Sequence, residues 1–282
     1  MLNMLLGVII SGILIGAIYA LISLGLNIIF GVMGIINMAH GEIIMLACYI
    51  TFWLYALFAV DPFIGSALGI PFYIVFSIAI YYLVINPIIK RGELPTIIAT
   101  YGLSIFLIAF SKFLWTSDYR YISLPYSSII VTGISISLPR LIGATIAVIL
   151  TFILWLIYKK TFLGMAIRAV ATDREAASLM GINIKKVYLY SFIIGILATA
   201  VGGALIAAIY PIYPEMGGPF TLIAFLIVII GGLGSFTGTI LSGFLIGLVE
   251  ALTGYIVGVT WTGIVVFLLT MIILIIRSKE TI

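Results

Sequence analysis

The chain has 282 residues, is 64% hydrophobic and only 8% charged, and carries a formal net charge of +4, with a mean hydropathy of +1.39. Soluble domains are about one quarter charged, so this composition excludes a water-soluble globule and points to a lipid bilayer. Its apolar runs are long rather than short and alternating, which excludes a membrane β-barrel and predicts an all-α polytopic protein.

The opening MLNMLLGVIISG lacks the basic start and small-residue cleavage pattern of a secretory signal and is expected to be a retained first span. Spans are predicted at 4–27, 42–60, 72–89, 96–114, 141–158, 187–209, 221–233, 237–256 and 259–276. The run at 221–233 is too short to cross comfortably and reads as part of a broken helix. The fold class is therefore an all-α polytopic membrane protein of about 8–9 transmembrane helices with one broken or re-entrant segment, forming a single membrane domain over 1–282. Basic residues cluster at Lys90/Arg91, from Lys159 to Lys186, and at Arg277/Lys279. Short Lys/Arg-rich loops stay cytoplasmic, and nine spans put all three clusters on that side with the N-terminus outside. The outer segments would be 61–71, 115–140 and 210–219, with Trp115, Tyr119, Tyr121 and Tyr126 near the headgroups and Asp118, Arg120, Arg140 and Glu215 in water.

The densest polar cluster near a helix end is Asn37, His40, Gly41 and Glu42, after a Gly31-to-Asn37 run that suggests a broken or re-entrant segment. Ionisable groups at membrane depth usually face a pore, a partner or an aqueous cavity, so Asn37, His40 and Glu42 are candidates for the translocation path or its gate. The alternative is that they cap helices at the cytoplasmic interface. His40 is the only histidine and Cys48 the only cysteine, so no catalytic triad, disulfide or metal cluster can be assembled. No catalytic residue, metal or cofactor is expected.

The stretch 161–186, with Lys159 and Lys160 before it, carries eight of the chain's 13 basic and nine acidic side chains. Thr172 followed by Glu175 forms a capping-box pattern, and Gly181 stands where a helix commonly ends. Ala176, Leu179 and Met180 share a face, giving a short amphipathic helix. Such a helix fits either a partner's groove or the headgroup layer. No Gly-rich phosphate loop ending in Lys-Ser/Thr is present, so ATP hydrolysis would have to come from another subunit. Farther on, Gly231, Gly232, Gly234 and Gly238 mark close helix packing or a helix break, and Gly243/Gly247 and Ala198/Gly202 repeat small-x-x-x-small spacing. Glu250 stands alone in the outer part of its span, as a structural partner or an ion site.

Three stretches resemble ABC-transporter permeases of the branched-chain amino acid type, the LivH type in particular: GLNIIFGVMGIINMAHGEIIMLACY, GMAIRAVATDREAASLMGINIKKV and IVIIGGLGSFTGTILSGFLIGLVE. The resemblance implies a cytoplasmic coupling helix in which Arg168, Ala169, Asp173, Ala176, Gly181 and Ile182 lie at an ATPase interface, joined by Leu179 and Met180 on the exposed helix. It further implies a cell-membrane importer subunit for branched-chain amino acids. The expected partners are cytoplasmic ATP-binding subunits, a second related permease (LivM-like), an external solute-binding protein and the lipid bilayer, with no nucleic acid. Urea, short amides or another small solute remain alternative cargoes, and an ion-coupled secondary carrier is the alternative of another class.

Overall fold

Thirty-two residues without a proline or a charged side chain leave nothing to stop the first helix, and α1 runs over Leu2–Met33. At 1.5 Å per residue it is about 48 Å long, more than the roughly 30 Å of a bilayer's hydrocarbon core. The computed structural model describes residues 2–126, 128–131 and 133–280, apart from the side chains of Leu2, Val131 and 277–280. The side chains of Arg277 and Lys279 therefore lie outside the described residues. After α1 come α2 (His40–Phe58), α3 (Pro62–Leu68), α4 (Ile70–Ile80), α5 (Asn86–Ile88), α6 (Glu93–Trp115), the strands β1 (Ser128–Val131) and β2 (Ile134–Ser137), and α7 (Leu138–Lys160). The rest comprises α8 (Phe162–Thr172), α9 (Arg174–Leu179), α10 (Ile184–Ile206), α11 (Gly217–Gly231), α12 (Phe236–Ile256) and α13 (Thr262–Glu280).

Eight helical segments among the described residues are long and apolar enough to cross a membrane. The ninth passage is α11, whose 15 residues span only about 22 Å. Nine passages preserve the expected parity, with Lys90, Arg91, Lys159, Lys160, Lys185 and Lys186 at one end of the bundle. Segment 70–91 is one rod with a wide π turn at Tyr81–Ile85, where the Asn86 N–H reaches back to the Tyr81 carbonyl. Pro87 follows directly. It has no N–H to give, and its ring clashes with the carbonyl four residues back, so the helix widens there rather than ending.

The outer segments are more built than the sequence suggests. Asp61 accepts from the Phe63 amide at 2.9 Å and starts α3, and its other oxygen accepts from the Tyr126 hydroxyl at 2.7 Å. Burial and that bond push the Tyr126 phenol up to about 12. β1 and β2 form an antiparallel hairpin with Ser128 opposite Ser137. Arg120, expected in water, instead donates to the Trp115 carbonyl at 2.8 Å and lies over the rings of Phe52 and Trp53.

The bundle is organised around α1. A Cβ on Gly16 would stand 2.9 Å from the Gly243 carbonyl, and one on Gly247 would stand 2.5 Å from the Gly16 Cα, so α1 and α12 touch backbone to backbone. On its other side, Gly25 abuts Gly195 and Thr199 of α10. Between lipid-soluble helices there is no water to exclude, so close backbone approach through small residues supplies the packing.

Gly247→Leu should force α1 and α12 apart and cost about 2–3 kcal/mol, read as a lower melting temperature in detergent. Gly102→Ala is the matched control. Its Cβ meets nothing within 4 Å, so it should instead stabilise by up to about 1 kcal/mol. Wild-type melting of Gly247→Leu would remove this seam as the organising contact.

Candidate functional site

Two helices begin inside the protein, one reached from each side. α1 ends at Met33, and residues 34–39 return without helix before α2 starts at His40. The first predicted span thus continues to 33 rather than ending at 27. From the opposite side the chain after α10 turns inward, burying Ile212 and Met216, and α11 starts at Gly217. The two starts meet, since a Cβ on Gly41 would overlap the Gly217 carbonyl and the Gly41 amide donates to the Thr221 hydroxyl at 2.8 Å. Unwound backbone at this depth requires internal partners. The Met38 amide finds one in the Thr100 hydroxyl at 3.2 Å, and the Ala39 amide finds one in Asn37 Oδ1 at 3.1 Å.

Asn37, His40 and Glu42 are sealed here, at 2%, 0% and 2% exposure. Asn37 serves as a local cap for the turn into α2. His40 packs beside the Ile22 carbonyl of α1 with neither ring nitrogen in a formed hydrogen bond, whereas Glu42 faces Ser104 of α6 and leaves Oε2 unpaired. The three share one turn but not one cavity.

At the cytoplasmic end the chain builds a continuous surface. Thr161 accepts from the Gly164 amide at 3.1 Å and starts α8. Arg168 then folds back, donating to the Tyr158 carbonyl and lying over that ring. The cap of α9 falls one residue after the expected Thr172: Asp173 accepts from the amides of Glu175 and Ala176 at 2.8 and 3.0 Å, while Thr172 ends α8. Gly181, at φ +82°, lets the Ile182 amide return to the Ala177 carbonyl at 3.1 Å and closes the helix. Ala177 is the buried residue of α9, whereas Leu179 and Met180 stand 88% and 83% exposed. Arg168, Ala169, Asp173, Ala176, Met180 and Ile182 line one groove of about 400 Å³. Leu179 stands beside it, and Gly181 makes the turn.

This surface is tied to the unwound segment before α2 and to the start of α12. Arg174 lies over the Tyr188 ring at 5.7 Å, and its guanidinium is beside Gly34, where the unwound segment begins. Tyr158 stacks on Phe236 at 5.3 Å, at the start of α12. The glycine turn before α12 is clamped by Asn27 of α1, which accepts from the Gly234 amide at 2.7 Å and donates to the Ser235 carbonyl at 2.9 Å. Gly232 and Gly234 take left-handed φ values of +92° and +80° and make the break. Gly231 and Gly238 pack backbone against backbone across it.

Residues 8–275 match the family model described as the permease component of a branched-chain amino acid transport system. The chain belongs to this permease family. Among similar proteins is the high-affinity branched-chain amino acid transport permease LivH of Salmonella typhimurium, 30% identical over 94% of this chain and 91% of that one. Another is BraD of Pseudomonas aeruginosa, 29% identical over 95% and 92%. The fold is similar to that of PsaBC from Streptococcus pneumoniae, solved with a Fab, at a TM-score of 0.51 and 13% identity, over 93% of this chain and 89% of that chain. The permease is thus a multi-pass protein of the cell membrane.

Sequence reasoning missed Asn27, Thr100 and Thr221, three of the side chains that satisfy the broken backbone of the permease. The available signal was a lone amide or hydroxyl inside an otherwise apolar run. At the outer end Glu215 pairs with Lys112 at 2.5 Å, and that bond holds its carboxyl below the ordinary value of 4.5. The pair therefore contributes above the carboxyl range and fades as pH falls through it; with side chains 42% and 50% exposed it is worth under about 1 kcal/mol.

Asn27→Leu leaves the Gly234 N–H without its partner, while the Ser235 C=O keeps the Thr239 amide and hydroxyl, and should cost about 1 kcal/mol. Hydrogen exchange should show the Gly234 amide opening faster than in wild type. An unchanged exchange rate would count against the clamp.

Proposed function

We propose that this permease forms half of the translocation path of an ATP-driven importer for branched-chain, hydrophobic amino acids. Its partners in this reading are two cytoplasmic ATPase subunits, a second related permease and an external solute-binding protein. The observation that carries the cargo is full-length similarity to permeases named for branched-chain amino acid transport. The docking reading rests on Leu179 and Met180, two large apolar side chains left 88% and 83% exposed on a polar, capped helix. Exposed apolar residues beside a groove suit a protein partner better than water.

In this reading α9 is the lever. A push on Leu179 and Met180 moves Arg174, which bears on Gly34 and so on the unwound segment that leads to His40. The same surface reaches α12 through Tyr158 and Phe236. Asn37, His40 and Glu42, sealed together at the start of α2, then act as the gate that closes this conformation. A bistable element biased from the cytoplasm is what alternating access requires. The second reading keeps the architecture and changes the cargo, since the fructose import permease FrcC of Rhizobium meliloti is 28% identical over 54% of this chain and 44% of that one.

Leu179→Asp should abolish ATPase association while membrane insertion stays intact, measured by co-purification. Gly181→Pro should do the same, because proline cannot adopt the φ of +82° found there. Retained association in both variants would sink the docking site. For cargo, proteoliposomes containing the assembled transporter should take up labelled leucine only with ATP and the binding protein. Binding-protein-stimulated ATP hydrolysis with another solute and no leucine uptake would correct the cargo alone. Uptake by this chain alone under a proton or sodium gradient would replace the importer with an ion-coupled carrier.

A further inference from the structure

The outer end of the bundle holds a cavity of about 730 Å³ between the first four turns of α1, the β hairpin, the start of α7, the end of α12 and the start of α13. That volume lies within the usual range for small-molecule sites. Its walls carry two opposite charges, Glu250 from α12 and Arg140 from α7. They are close enough to feel each other's field, yet the ion pair formed among the described residues is Lys112–Glu215 instead. Arg140 makes no hydrogen bond among the described residues, and Glu250 Oε2 is buried without a partner. The Tyr19 hydroxyl stands beside Glu250 and Tyr210 behind the cavity wall. Met4, Val8 and Ile15 supply an apolar wall.

A buried carboxylate without a cation is costly, and so is a guanidinium without an anion. Here both face the same empty volume and neither closes on the other. We propose that this pocket binds a zwitterion with an apolar substituent. Its ammonium sits on Glu250, its carboxylate or phosphate sits on Arg140, and its hydrocarbon lies along α1. Two sources share that chemistry: a free apolar amino acid and the headgroup of phosphatidylethanolamine. The amino-acid source rests on the proposed transport function, whereas the lipid source does not. A ligand with only one charge leaves the other wall unpaired, so single-charge analogues are rejected by the same desolvation argument.

The test uses the purified full-length chain. Melting temperature is followed with leucine, leucinamide and N-acetylleucine, and native mass spectrometry follows retained phosphatidylethanolamine against phosphatidylglycerol. Stabilisation by leucine but neither derivative assigns the pocket to the amino acid; selective retention of phosphatidylethanolamine assigns it to the lipid. In either case Glu250→Gln and Arg140→Gln should each weaken binding about tenfold or more. Ser11→Leu fills the cavity without altering either charge, and should also weaken binding in a protein that still runs as a monodisperse species. Absence of both ligand classes from the wild-type chain, or binding unchanged in all three variants, overturns the proposal. Absence of leucine uptake by the assembled wild-type transporter with phosphatidylethanolamine still selectively retained would overturn the leucine cargo and leave the pocket standing.

Discussion

Backbone-to-backbone contact along α1 is the constraint on which the rest of the structure depends. Gly12 and Gly16 face Gly243 and Gly247 of α12, and Gly25 faces Gly195 of α10. In lipid the helices gain little from hiding apolar surface, because the surroundings are equally apolar. Dispersion and close approach must hold them instead, and only residues without bulk permit it. With α1 fixed between α10 and α12, the neighbouring passages have a frame to pack on. The long greasy faces of α6, α7 and α13, exposed at Phe113, Phe152 and Phe267, are left for lipid or partner subunits.

That frame tolerates a costly feature at its centre. Two helices start in the interior, and each brings unpaired amides into a region without bulk water. At the start of α2 the Met38, Ala39 and Gly41 amides are satisfied one by one, by Thr100, Asn37 and Thr221. A chain that needed only a stable bundle would have no use for such breaks. In the proposed cycle they are the place where one passage changes length or angle without melting its neighbours. The cytoplasmic helices touch the unwound segment before α2 through Arg174 at Gly34, and the start of α12 through Tyr158 at Phe236. In the proposed cycle the Arg174 contact is the route from α9 to the interior.

Much of this was legible before any coordinates. Apolar run length reveals the passages, and the Lys-rich loops fall at one end of the bundle. Gly181 was read as a helix end, and its positive φ bears that out. The cap assigned to Thr172 belongs to Asp173, because both residues can accept from a helix start and local spacing does not separate them. Its loop position predicts Arg120 in water, but its guanidinium lies over Phe52 and Trp53. An arginine beside a membrane interface can turn either way, and only its neighbours decide.

The sequence by itself determined that the chain crosses a bilayer, that its basic loops share one side, and which loop is the most polar. These follow from local hydropathy and charge, which each segment carries alone. Tertiary structure decided which glycines touch, that α2 and α11 begin face to face, and that Asn27 clamps a turn 207 residues away. It also decided that Arg140 and Glu250, set on separate helices, share one cavity without pairing. Such facts depend on how helices approach one another. Small residues permit many approaches, and the packing of the whole bundle selects one.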